Sequence, residues 1–217
     1  TAISILSGLL LACMAGKTDN FESIYVEGES IQRLSVLTSR MDMCADPNVG
    51  RTGALLVFTC RVGENWDLYM KRSLHGDALQ RLGGHAAHDI EPSLSPNGQN
   101  VVFASNRSGN FDLFTMSTGG GTAVRQVTDS PDDDRCPDWS PDGMKIAFHR
   151  VSSFDDQPYI WIRELDTNAL VQLGPGRCPR FSRDGQQLAY FRAADSTDGW
   201  FSVWTVDTSG RNNTQVA

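Results

Sequence analysis

The chain lacks most of the marks of a catalyst, a nucleic-acid binder or an integral membrane protein. It contains no Gly-x-Ser-x-Gly segment and no glycine-rich phosphate loop set between a strand and a helix, so no catalytic apparatus is visible and no catalytic residue is expected. Positive charge is scarce: 19 Lys and Arg stand against 26 Asp and Glu, a net charge of -7. The resulting pI near 5.0 argues against general affinity for polyanionic nucleic acid. No stretch keeps a helical period for long, and no low-complexity tract or long linker interrupts the chain. What is present is ordinary for a globular fold, with 40% hydrophobic residues, 20 Gly and 9 Pro, the last two in short turn-like clusters.

The only long uncharged apolar run is at the start, "AISILSGLLLAC", followed at once by the polar residues Lys17, Asp19 and Asn20. It is short for a bilayer span and reads as a signal-peptide core covering residues 1–13, with residues 14–20 as a linker. Ala12 before Cys13 is similar to a bacterial lipobox, which implies a lipid anchor on Cys13; a cleaved signal without lipid, or a buried strand, are the alternatives. The absence of Met and of a basic region before Thr1 suggests a sequence that continues upstream.

The chain repeats itself. Shifted by 45 residues, Gly53, Gly98 and Gly143 coincide, as do Phe58, Phe103 and Phe148, and Pro47, Pro92 and Pro137; after a three-residue contraction Pro179, Phe181, Gly185 and Tyr190 follow. Four copies cover about 44–83, 89–128, 134–173 and 176–217. Each divides into four short β-rich segments, for example "EPSLS", "NVVFAS", "FDLFTM" and "AVRQVT", which predicts an all-β propeller of four-stranded antiparallel blades. The turn Ser140-Pro141-Asp142-Gly143 is expected to join a first strand to a second, with Gly in the left-handed conformation. Pro47, Pro92, Pro137 and Pro179 are expected at the start of the channel-facing first strands, where a missing N–H is harmless. The runs "LLVF", "VVFA", "IAF" and "LAYF" are second strands, apolar on both faces because each blade lies between two others.

The segment "PSLSPNGQNVVFASNRSGNFDLFTMSTGGGTAVRQVT" closely resembles the TolB-type WD-like β-propeller repeat, and the resemblance covers about 175 residues. The segment "FESIYVEGESIQRLSVLT" aligns with a blade's third and fourth strands, giving an expected half blade at 21–40 within a propeller spanning 21–217. A half blade needs its other strands from the far end of the chain, so the sequence is expected to be truncated after Ala217. The resemblance implies a bacterial envelope location, periplasmic or associated with the outer membrane. The lipobox-like start, only a few residues before Phe21, is expected to depart from the plan that the resemblance implies, a plain signal and a separate N-terminal domain before the propeller.

Candidate binding residues lie on the face carrying the loops from strand two to three and from strand four to the next strand one. Arg61, Arg107, Arg150 and Arg192 recur at the ends of second strands, beside the acidic "DSPDDDR" with Asp132, Asp133 and Asp134 and the "GGHAAHD" loop with His85 and His88. Such a ring of charges suits polar recognition of a protein segment or an anionic ligand, while solvated charges pairing between blades explain the same residues. No metal or cofactor is expected: His85 and His88 find no second ligand cluster, Asp132 to Asp134 lack a calcium-loop order, and His149 stands alone near a strand end. In an oxidising compartment the candidate disulfides are Cys44–Cys60, nearly opposite on adjacent strands, and Cys136–Cys178, at equivalent places in neighbouring blades; buried free thiols are the alternative. The expected function is non-catalytic binding of an envelope protein or peptide, or a glycan, through the loop face, without nucleic acid and with membrane contact only through the lipid anchor. The alternative is the propeller portion of a prolyl oligopeptidase-type serine peptidase, which such repeats also resemble; a polysaccharide lyase or hydrolase is a third reading.

Overall fold

The computed structural model describes residues 43–50, 55–72, 79–120, 123–193 and 201–216. The signal-like segment 1–13 with Cys13, the linker 14–20 and the half blade 21–40 lie outside the described residues. Among the described residues sixteen strands form four antiparallel sheets of four, each in simple sequence order. Blade 1 is β1 (Met43–Val49), β2 (Leu56–Val62), β3 (Asn65–Lys71) and β4 (Gln80–Leu82). Blade 2 is β5 (Asp89–Leu94), β6 (Asn100–Ser105), β7 (Asp112–Ser117) and β8 (Val124–Gln126). Blade 3 is β9 (Asp133–Trp139), β10 (Lys145–Val151), β11 (Pro158–Glu164) and β12 (Leu170–Pro175). Blade 4 is β13 (Arg177–Phe181), β14 (Gln187–Ala193), β15 (Phe201–Asp207) and β16 (Thr214–Gln215). First strands lie beside one another in the sequence β1, β5, β9, β13, so they line the axis of a β-propeller. Among the described residues no helix is long and apolar enough to cross a membrane.

The blades are held by side chains that alternate along each strand. On β6, Val101 and Phe103 enter a core shared with Val57, Leu68 and Met70 of blade 1, while Val102 and Ala104 enter the next core with Ile146 and Phe148 of blade 3. On β10, Ala147 faces the third core with Leu188, Tyr190 and Val206 of blade 4. A strand buried on both faces needs apolar residues at every position, which is what these runs supply. The turns between first and second strands repeat closely: Gly98, Gly143 and Gly185 have φ of 68°, 75° and 73°, and each donates its N–H to the Ser three residues earlier. Gly143 lies against Pro96, and Gly185 against Pro141, so each turn seats on the proline of the turn before it.

The channel prolines differ from expectation. They lie inside the first strands, at a β-bulge, rather than at their starts. In every blade two residues oppose one: Asp46 and Pro47 face Phe58, Glu91 and Pro92 face Phe103, Cys136 and Pro137 face Phe148, Cys178 and Pro179 face Tyr190. The unpaired extra residue tolerates a proline because no ladder bond is needed from it. The residue before each proline is left-handed, with φ of 53°, 55°, 51° and 50° at Asp46, Glu91, Cys136 and Cys178. None of these is glycine, so each site stores on the order of 1–2 kcal/mol of strain.

Phe103 is fully buried, whereas Phe154 is 96% exposed in the β10–β11 loop. Phe103→Ala should therefore lower stability by about 3–5 kcal/mol, and Phe154→Ala by less than about 0.5 kcal/mol, in equilibrium urea unfolding.

Candidate functional site

Much of the charge on the loop rim is engaged within the fold. Asp134, fully buried at the start of β9, receives two hydrogen bonds from Arg150, at 2.6 and 2.9 Å, and Arg150 also lies over the Trp161 ring at 5.1 Å. Burial pushes the Asp134 carboxyl up despite this partner. Arg107, in the turn after β6, donates from one Nη to both oxygens of buried Asp89 at 2.7 and 2.9 Å and lies over Phe114. Arg61 donates to Gly63 O in its own turn, and Arg192 stacks over Trp204. Of the remaining rim residues, His88 and Asp133 reach back to the preceding blade, and Asp132 and His85 bond locally. His88 Nδ1 accepts the Trp66 N–H and Asp133 the Phe111 N–H, the same bond one repeat apart. Asp132 accepts from Ser153 N–H, which holds its carboxyl below the usual range, and His85 Nδ1 accepts from Ala87 N–H. His85 and His88 are thus used as local acceptors.

The cysteines divide. Cys44 and Cys60 face each other across β1 and β2 and are disulfide-bonded. Cys136 and Cys178 are free thiols whose sulfurs are 2.7 Å apart. His149 does not stand alone: it is buried behind them, its Nδ1 accepting the Cys178 N–H at 3.4 Å.

The unassigned chemistry lies on the channel wall, at and beside the strained bulges. Glu91 accepts from Arg135 at 2.9 and 3.1 Å and from the Cys136 N–H at 2.7 Å. Burial alone would push the Glu91 carboxyl up, but these donors and the Arg135 charge outweigh it and hold it below its ordinary value. Asp46 has no such donor among the described residues; burial, aided by the Glu91 charge and opposed by Arg135 and Arg180, pushes its pKa up to about 6. Asp138 is also pushed up by burial, against the opposing charge of Arg180. Arg180 is exposed, donates to Pro179 O, and forms no ion pair among the described residues. Glu91, Arg135, Arg180, Asp46 and Asp138 were not singled out from the sequence. A signal was present, since Asp46, Glu91, Cys136 and Cys178 each precede one of the four repeating prolines.

Residues 16–217 match the family described as the TolB beta propeller domain. The chain belongs to this family. Its fold is similar to that of TolB from Acinetobacter baumannii, with 21% identity and a TM-score of 0.69 over 81% of this chain and 43% of that one. For the TolB-like protein of Agrobacterium tumefaciens the values are 20% and 0.71, over 85% of this chain and 68% of that one. A puromycin-hydrolysing peptidase from Mycobacterium tuberculosis shares the fold at 15% identity and a TM-score of 0.63, over 82% of this chain and 29% of the peptidase. No curated protein matches the chain. The chain thus spans less than half of the first of these TolB structures.

Two outcomes follow from the site's electrostatics. Arg150→Ala leaves the buried Asp134 carboxylate unpaired and should lower stability by about 3 kcal/mol in urea unfolding at pH 7. Asp46 has a folded pKa above its unfolded one, so its ionisation weakens the fold as pH rises from about 4 through about 6. Asp46→Asn should accordingly match wild type in stability near pH 3.5 and exceed it at pH 7, as read from unfolding midpoints across that range.

Proposed function

We propose that this TolB-family propeller is a non-catalytic binding module of the bacterial cell envelope that captures a segment of a protein partner at the channel mouth. The observation that carries the reading is the contrast between rim and wall. The charges at the rim are largely committed to bracing the blades, whereas exposed Arg180 on the wall has no ion-pair partner among the described residues. A guanidinium with no carboxylate in direct contact among the described residues, although the Asp138 and Glu91 charges act on it, suits a carboxylate on an incoming polypeptide, through paired N–H donors. Phe154, exposed in the strand two to three loop, offers an aromatic contact at the loop rim. A glycan partner has less support, since the wall residues named above are charged groups and thiols rather than exposed aromatic platforms. The Cys44–Cys60 disulfide supports placement in an oxidising compartment, hence export to the periplasm or the outer-membrane surface; the lipid anchor at Cys13 remains part of this proposal.

A second reading is favoured by one specific likeness, that to the propeller of the M. tuberculosis peptidase, where a similar fold makes up about a third of a hydrolase. Labelling of the native protein by a fluorophosphonate would support that reading.

The binding proposal is tested by capture from envelope extract with immobilised wild-type protein and with Arg180→Glu. Loss of at least tenfold of a captured polypeptide in the variant, with wild-type capture weakened by 0.5 M salt, is the expected result. Equal capture by both proteins would move the site away from the channel wall.

A further inference from the structure

Cys136 and Cys178 occupy one repeat position in adjacent blades, where blades 1 and 2 carry Asp46 and Glu91. Both are held in the left-handed conformation by the bulge before Pro137 and Pro179, which brings their sulfurs to 2.7 Å. That separation is well inside ordinary non-bonded contact and only a little longer than the roughly 2.0 Å of a disulfide. Both residues are partly exposed, and the ring of His149, 5% exposed, places a nitrogen within 4.8 Å of both sulfurs. The two thiols are not equivalent. The contact with Cys136, with His149, holds the Cys178 thiol below its ordinary range, while the same contact and burial push Cys136 up. His149 contacts the Cys178 backbone, so Cys178 is the thiol seated against the imidazole and is the attacking one, and Cys136 follows it. A single tetrahedral ion fits less well, because two thiolates each about 2.3 Å from zinc lie about 3.8 Å apart.

We propose that Cys136 and Cys178 are a redox-active dithiol that exchanges with external disulfides at the channel wall, with Cys178 as the nucleophile and Cys136 as the resolving thiol. The Cys178 thiolate attacks one sulfur of a disulfide R–S–S–R′; its S–S bond breaks, R′S⁻ leaves and takes up a proton, and a Cys178–S–S–R mixed disulfide forms. Cys136 then loses its proton to water at the partly exposed wall and attacks the Cys178 sulfur; the departing RS⁻ takes up a proton as RSH. The external disulfide gains two electrons and becomes two thiols, and blade 3 becomes covalently joined to blade 4. Reduction by an external dithiol runs the same steps in reverse.

The test uses the whole chain, reduced, freed of reductant and equilibrated in mixtures of reduced and oxidised glutathione with EDTA. Samples are quenched in acid, alkylated and digested with trypsin. Peptide 136–145 should become linked to peptide 178–180 in one reversible two-electron transition. Cys136→Ser should accumulate one glutathione on Cys178, whereas Cys178→Ser should react at least tenfold more slowly. His149→Gln should raise the pH midpoint for alkylation of Cys178. Two thiols that stay fully alkylatable in oxidised glutathione would overturn the proposal, as would equal reactivity of the two single variants. Thiols of the protein as purified that react only after EDTA treatment would also overturn it, in favour of a metal site. The wild-type peptide map stands whether or not a variant folds.

Discussion

Every blade depends on being covered on both sides. A strand such as β6, with Val101 and Phe103 on one face and Val102 and Ala104 on the other, has no face to turn to water, so one blade cannot be stable alone. Burial of side chains of this size contributes roughly 1.5–3 kcal/mol each, and here it is realised only between sheets. The circular arrangement follows, and with it the convergence of the first strands on an axis. The bulges are a local consequence: an aromatic residue of the second strand opposes two residues of the first, and the extra residue is turned toward the channel wall.

A single repeat position shows how much chemistry this frame accepts without altering the backbone. Where blade 3 pairs Asp134 with Arg150, blade 2 pairs Asp89 with Ser105 across the strands and reaches Arg107 for its ion pair, and blade 1 has the Cys44–Cys60 disulfide. In blade 4 the acidic residue is replaced by Gly176, beside Arg192. A covalent bond, a buried ion pair and a glycine thus stand in one place. The position ties the innermost two strands together at the loop end, and the first three blades do so by different means. The same freedom at the bulge allows carboxylates in two blades and thiols in the other two.

The repeat, its turns and the doubly buried second strands were legible in the sequence because they rest on local chemistry: Ser-Pro-Asp-Gly, a recurring aromatic residue and unbroken apolar runs. The bulge was not legible. Left-handed backbone is usually announced by Gly or Asn, and here Asp46, Glu91, Cys136 and Cys178 adopt it under the constraint of the sheet. The prolines therefore read as strand starts, and the shift of one residue that the bulge introduces was missed. Such a shift exchanges the faces of a strand, which is why Glu91, Arg135 and Arg180 were passed over as channel residues. The arginine series was visible as a pattern, but whether Arg150 meets solvent or Asp134 depends on cross-strand pairing that the repeat alone does not reveal.

The connections between blades are not equal. Residues 83–88 and 127–132 carry the chain from blade 1 to 2 and from 2 to 3, whereas Gly176 alone links β12 to β13. A Cβ on Gly176 would fall 2.3 Å from the Tyr190 ring, so the tight connection has room only for glycine. Of the three described boundaries, that between blades 3 and 4 thus has the shortest covalent tether, which limits how far these two sheets can separate, and it is also the boundary across which two sulfur atoms already touch.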